Sequence, residues 1–321
     1  MALAPVGAQN TESLVLYSGR NEELIQPIID RFIEETGVQV DVRYGNTAGL
    51  ANQIIEEGAN SPADVYLGQD AGALGALAQA GALAPLPDDI LERVSPVFRS
   101  PDGLWVALSG RARVLVYNPP LLEELGLPLP DSIADLTDPM YRGLVAWPPT
   151  NASFQSQVTA LRLLLGEDET LAWLQDMIAN DVIPFSNNTA LNQGVLAGEA
   201  VMGLTNHYYI FRIYNEDPDA PIALHFFPAG DPGSLINIAG AGVLATSDQP
   251  GLAQRLLLYL LGTPAQQYFA DMTVEYPVID GVALDERLTP LDQIEPPDID
   301  LSDLADLEPT LDMIEDSGAL D

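Results

Sequence analysis

The chain has 321 residues, 47% of them hydrophobic, which is enough for a substantial core and for two lobes. Its 47 acidic residues face 12 basic ones, all arginine, for a formal charge of −35; such a surface repels phosphate backbones and anionic lipid, against a nucleic-acid or membrane-surface protein. The absence of cysteine removes thiolate zinc sites, iron–sulfur clusters, disulfides and cysteine nucleophiles, and no run of about 18 apolar residues is there to span a membrane.

Residues 1–13 have no basic n-region and too short an apolar run for a signal peptide. They read as the start of a mature or truncated chain, with any export signal missing. Residues 14–17 are a short apolar run stopped by Ser18-Gly19, as in a buried strand. Leu24, Ile25, Ile28, Ile29, Phe32 and Ile33 form a helical stripe that Gly37 closes. Pro27 inside that stripe predicts either a helix that begins near it or an irregular first turn. Val38, Val40, Val42 and Tyr44 alternate as in a strand. A helix over 48–57, a strand over 64–67 and a helix over 70–79 follow. This alternation with short connections predicts a parallel sheet covered by helices.

Residues 113–117 predict another strand, stopped by Asn118-Pro119-Pro120. Proline-rich turns lead to a strand over 144–147 and a long helix with Val158, Leu161, Leu164 and Leu165 on one side. Further α/β signals over 187–200, 201–204 and 239–245 predict a second lobe like the first, joined to it by crossing strands. The last thirty residues are acidic, yet Leu301, Leu304, Leu307, Leu311 and Ile314 are spaced by three or four, as on one helix face. A calcium loop starting at Asp298 fails, with Asp303 where glycine is needed and Pro309 where glutamate is needed.

Nucleophilic catalysis finds little support: the only histidines are His207 and His225, and no nucleophile elbow or Walker-type loop is present. The segment Thr205-Asn206-His207-Tyr208-Tyr209 is more informative. It follows the strand over 201–204, at the carboxyl end where α/β sheets place ligand sites. A tyrosine is a hard oxygen donor once deprotonated, but its ordinary pKa near 10 makes that costly unless a highly charged cation drives the proton off. Fe³⁺ is such a cation. Two adjacent ligands require an irregular or helix-starting backbone, because neighbours in a regular strand point oppositely. The other reading is that both rings pack, or line a sugar or peptide pocket. Two helix starts, Asn151-Ala152-Ser153 and Asn187-Asn188-Thr189, offer free backbone N–H groups to an anion; ordinary N-capping accounts for them equally.

From about Leu14 onward the chain resembles the ferric-ion-binding proteins of the class II periplasmic-binding-protein superfamily. The resemblance is carried by Leu16-Tyr17-Ser18-Gly19-Arg20, Ser61-Pro62-Ala63-Asp64-Val65-Tyr66 and Leu108-Ser109-Gly110-Arg111-Ala112-Arg113-Val114. It continues in Asn206-His207-Tyr208-Tyr209, Asp231-Pro232-Gly233, Gly240-Ala241-Gly242-Val243-Leu244 and Glu275-Tyr276-Pro277. It implies an α/β fold of two lobes with hinge strands and an interlobe cleft: residues 12–110 plus 238–290 in the amino-terminal lobe, and 111–237 plus 291–321 in the other. It further implies a monomeric extracytoplasmic binding protein, periplasmic or cell-surface, that is not an enzyme and that hands ferric iron to an ABC permease; lipid anchoring stays open.

By the same resemblance Tyr208 and Tyr209 are the metal ligands. The family's amino-lobe ligands are altered here, with Asn21 at a position often occupied by His, Gln69 where some members have Glu, and Phe154 where others have a third tyrosine. Asp70 is an added candidate. Two phenolates do not fill an octahedral ferric site, so carbonate or another synergistic anion is expected, held by Asn151, Ala152, Ser153, Asn188 and Asn206, with Arg111 or Arg113 supplying charge. Thr273, where some members have Arg, favours carbonate over phosphate. The alternatives are the same fold binding an iron chelate, a polyamine, thiamine or phosphate.

Overall fold

The computed structural model describes residues 12–320, so the predicted chain start over 1–11 lies outside the described residues. The first half runs β1 (Ser13–Ser18), α1 (Glu22–Thr36), β2 (Gln39–Tyr44), α2 (Thr47–Glu57), β3 (Val65–Gly68), α3 (Ala71–Gln79), α4 (Asp88–Leu91), β4 (Val106–Tyr117) and α5 (Pro119–Leu125). The second runs β5 (Val145–Trp147), α6 (Ala152–Leu165), α7 (Glu167–Ala179), β6 (Ile183–Pro184), α8 (Asn188–Ala197), β7 (Met202–Asn206), α9 (Tyr209–Glu216) and β8 (Ala223–His225). The chain then returns through β9 (Ile236–Val243), α10 (Pro250–Leu260) and α11 (Thr263–Tyr268) to α12 (Leu291–Ile294) and α13 (Glu308–Asp316).

The strands form one path, β2-β1-β3-β9-β4-β7-β5-β6, with β8 beside β4. Pairing is parallel within β2-β1-β3 and within β7-β5-β6. Those two groups are joined by antiparallel strands. β9 pairs with β3 and β4, and β4 pairs with β7. The changeover falls within β4: Val106 to Ala112 lie along β9, while Arg113 to Tyr117 lie along β7. A register shift between Ala107 and Ser109 bends this strand just before it crosses. On one side the core gathers Leu16, Ile29, Phe32, Tyr66 and Leu257; on the other it gathers Leu115, Trp147, Phe154, Trp173 and Leu204.

Three elements differ from the sequence expectation. Strand β4 is 12 residues long, not five, because Ser109, Gly110 and Arg111 interrupt the apolar pattern ahead of residue 113 yet are all buried. Helix α1 begins at Glu22 and carries Pro27 inside. Pro27 faces solvent, so the carbonyl that its missing N–H leaves without a partner stays wet. The acidic C-terminal stripe is broken in two: a 3₁₀ turn over Leu301–Ala305, then α13, whose second residue is Pro309, a residue that starts a helix but does not continue one. The turn lies on α3, where Gly72 and Gly75 meet the carbonyls of Leu304 and Ser302 and Trp105 Nε1 donates to Ser302 Oγ at 3.1 Å. Helix α13 lies against α6 instead, with Thr310 between Thr159 and Arg162. The tail therefore touches both halves of the sheet.

Candidate functional site

Strand β7 delivers Asn206 and then stops, and Tyr208 adopts helical backbone angles (φ −71°, ψ −17°) as the cap of α9. This is the helix-starting turn that lets both tyrosines point to one side. Their rings stack at 4.5 Å between centroids, 27° apart, and both are half-buried. Burial, then the Tyr208 ring beside it, push the Tyr209 hydroxyl up to about 12, against a hydrogen bond from Asn188 and the charge of Arg212. Without a cation, Tyr209 is protonated at neutral pH.

Behind the pair stands a polar relay. Asn206 Nδ2 donates to Ser153 Oγ at 3.0 Å and to the Tyr208 hydroxyl at 3.4 Å, while Asn206 Oδ1 accepts from Arg113 Nη1 at 3.0 Å. Arg113 Nε donates to Gln157 Oε1 at 3.0 Å, and its Nη2 has no partner. This guanidinium is fully buried without a carboxylate within salt-bridge reach among the described residues. Burial lowers its pKa to about 9, which the neighbouring tyrosines partly oppose, so it stays charged at neutral pH. A buried cation beside two phenols favours their ionised form.

The two predicted helix starts come together here. Asn151 caps α6 by accepting from Ser153 N, and Asn187, not Asn188, caps α8. Asn188 is instead the first helical residue, buried, donating from Nδ2 to Asn151 Oδ1 at 3.3 Å and leaving its own Oδ1 without a partner. Asn151, Ala152, Ser153, Asn188, Asn206 and Arg113 thus form one cluster around the tyrosines. Sequence reasoning missed Gln157, which accepts from Arg113 Nε and is fully buried; its spacing of one helical turn from Ser153 was the available signal. It also missed Arg212, whose guanidinium lies 5.9 Å from the centre of the Tyr209 ring.

The remaining predicted residues stand elsewhere. Arg111 Nη2 donates to the Gln69 carbonyl and to Ile238 O, so it is engaged by backbone of the other half. Gln69 N–H donates to Thr47 Oγ1 at 3.3 Å, and Asp70 Oδ1 caps α3 by accepting from Ala73 N at 3.1 Å. Asn21 is exposed and precedes α1 without a side-chain cap bond. Among the described residues no hydrogen bond joins Asn21, Gln69 or Asp70 to either tyrosine. No group of three His, Cys, Asp or Glu side chains among them is placed to hold a metal, so any ion here would rely on phenolates. A cavity of about 700 Å³, lined by Phe98, Tyr276, Val278 and Pro296 among others, includes neither tyrosine. A metal ion needs converging donors more than volume, so the tyrosine cluster is the better site.

A family model described as bacterial extracellular solute-binding protein matches residues 18–267. The chain belongs to that family. This solute-binding protein is 34% identical over 307 residues to the Fe(3+)-binding periplasmic protein of Serratia marcescens, covering 95% of this chain and 90% of that one. Its fold superimposes on iron-bound HitA from Pseudomonas aeruginosa with a TM-score of 0.85 at 35% identity, over 96% of this chain and 99% of the other. It superimposes on the Trichodesmium protein (IdiA, FutA) in complex with iron and citrate ligands with a TM-score of 0.83 at 29% identity, over 95% and 99%. The solute-binding protein thus has the α/β architecture of the class II periplasmic binding proteins, as its sequence predicts. No helix among its described residues is long and apolar enough to cross a membrane.

Proposed function

We propose that this protein is a ferric-iron receptor of an ABC importer, closing on Fe³⁺ and a synergistic anion between two lobes. The observation that carries the reading is the stacked pair Tyr208 and Tyr209 beside a buried, carboxylate-free Arg113. Two phenols, one of them with its pKa raised, gain from ionising only when a strongly charged cation arrives. The ferric-binding relatives and the iron-bound neighbour support the same cargo.

In this reading Tyr208 and Tyr209 ligate iron, and Asn21, Gln69 and Asp70 approach from the amino-terminal lobe (12–110 plus 238–290) as it closes on the other (111–237 plus 291–321). The anion, carbonate in the first instance, meets the α6 start at Asn151, Ala152 and Ser153, with Asn188, Asn206 and Arg113 completing its donors. Arg111, held by two carbonyls, contributes charge from further away. The protein binds and releases its cargo without catalysing a reaction, acts outside the cytoplasm as a monomer, and presents its closed form to a permease.

Loading the apo-protein with a ferric chelate plus bicarbonate tests this. A visible phenolate-to-iron charge-transfer band is expected, and Phe at 208 and 209 should abolish it. No band, or a band that survives both substitutions, would refute the assignment. Stabilisation by thiamine or a polyamine, and not by ferric salts, would favour another solute on the same fold.

A further inference from the structure

His207 sits between the two functional neighbours Asn206 and Tyr208, yet it is fully buried and hydrogen-bonds to neither of them. Its backbone N–H donates to Ala112 O at 3.1 Å, and Ala112 N donates back to His207 Nδ1 at 3.1 Å. Because Nδ1 accepts a backbone N–H, the ring proton is on Nε2, which donates to Val274 O at 2.7 Å. Both nitrogens are engaged, so this imidazole is no ligand. The ring also packs against Tyr276 at 4.7 Å and edge-on to Tyr208 at 5.6 Å.

Its partners are the points at which the two halves of the molecule meet. Ala112 is the last β4 residue paired with β9, and Arg113 is the first paired with β7. Val274 begins a segment fastened to the first half. Glu275 forms a two-point ion pair with Arg20 and accepts from Ser109, and Tyr276 bridges Gly110. Val274 itself holds φ +53°, a left-handed backbone that a β-branched residue adopts only where neighbours enforce it. Its carbonyl is thereby aimed at His207.

We propose that His207 is a positioning residue: it fixes the tyrosine-bearing turn to the crossing point of β4 and to the Val274–Tyr276 segment, so the hinge sets where Tyr208 and Tyr209 stand and how firmly cargo is held. The proposal rests on the ferric reading above. It makes the motif residues Arg20 and Glu275, outside the ligand set, part of the frame that holds the site.

Three variants separate the contacts. H207Q can keep a donor at the Nε2 position towards Val274 O, H207N can keep only the acceptor for Ala112 N, and H207L keeps neither. Each is loaded with iron and bicarbonate, and transfer of iron to excess EDTA is followed through the charge-transfer band. H207N and H207L should release iron about tenfold faster than wild type, with a shifted band, and H207Q should return towards wild-type release. If H207L does not fold, the comparison of H207N with H207Q decides. Wild-type band and release in H207N, with only a lower Tm, would overturn the positioning role. Absence of the band from the wild-type protein would sink the ferric reading and this proposal with it, an outcome distinct from a normal wild-type band with unaltered variants.

Discussion

The Arg20–Glu275 pair gives the sharpest stability test. Its side chains are 1% and 5% exposed, with Nη1–Oε2 at 2.7 Å and Nη2–Oε1 at 3.1 Å, and Ser109 Oγ donates to the same carboxylate at 2.6 Å. Glu275→Leu leaves a guanidinium out of water with no counter-charge, and removing one partner of a buried pair costs about 3–5 kcal/mol. Arg20→Leu should cost a similar amount. The double variant should cost several kcal/mol less than the sum, because two leucines leave no isolated charge except Arg111 nearby. Urea unfolding followed by both fluorescence and circular dichroism measures this, the two probes checking that a two-lobed chain unfolds in one step. Glu275→Leu costing under about 1 kcal/mol, or strictly additive singles, would refute the reasoning. The pH dependence has a definite sign. Burial acts to raise the Glu275 carboxyl, but the charges of Arg20 and Arg111 and the hydrogen bonds from Arg20 and Ser109 hold it below its ordinary value of 4.5. The stabilisation is therefore fully present above the unfolded pKa and is lost as pH falls through the lower folded one.

If Tyr209 ligates iron as phenolate, binding must expel a proton that the apo-protein holds up to a pKa of about 12. Ferric affinity, measured by competition with a chelator of known pH dependence, should then rise about tenfold per pH unit for each tyrosine deprotonated; a pH-independent constant would contradict that. Gly75→Ala would drive a Cβ into the Ser302 carbonyl and push the 301–305 turn off α3, costing about 1–3 kcal/mol in thermal unfolding. Gly81→Ala meets no atom within 4 Å but must adopt φ +67°, so its cost should come from backbone strain alone and be about 1 kcal/mol.

The regular parts of the fold could be read from the chain because their causes are local. The apolar run at β1, the alternation at β2 and the stripe of α1 each bury one face, and Gly37 closes α1 through its positive φ. The proximity of Tyr208 and Tyr209, and the need for a helix-starting turn beneath them, were also visible in five consecutive letters. By contrast, β4 hid behind its polar residues. A buried Arg reads as exposed until its partners are known, and those of Arg111, the carbonyls of Gln69 and Ile238, lie 42 and 127 positions away.

By itself, then, the sequence determined the α/β class, the extreme negative charge, the freedom from cysteine chemistry and the tyrosine pair. The tertiary structure alone decided that the starts of α6 and α8 share one cluster through Asn151 and Asn188. It decided too that Arg113 and not Arg111 stands behind the phenols, and that His207 faces the hinge. Pattern and composition act between near neighbours, whereas a site is made of donors whose separation along the chain says nothing of their distance in space.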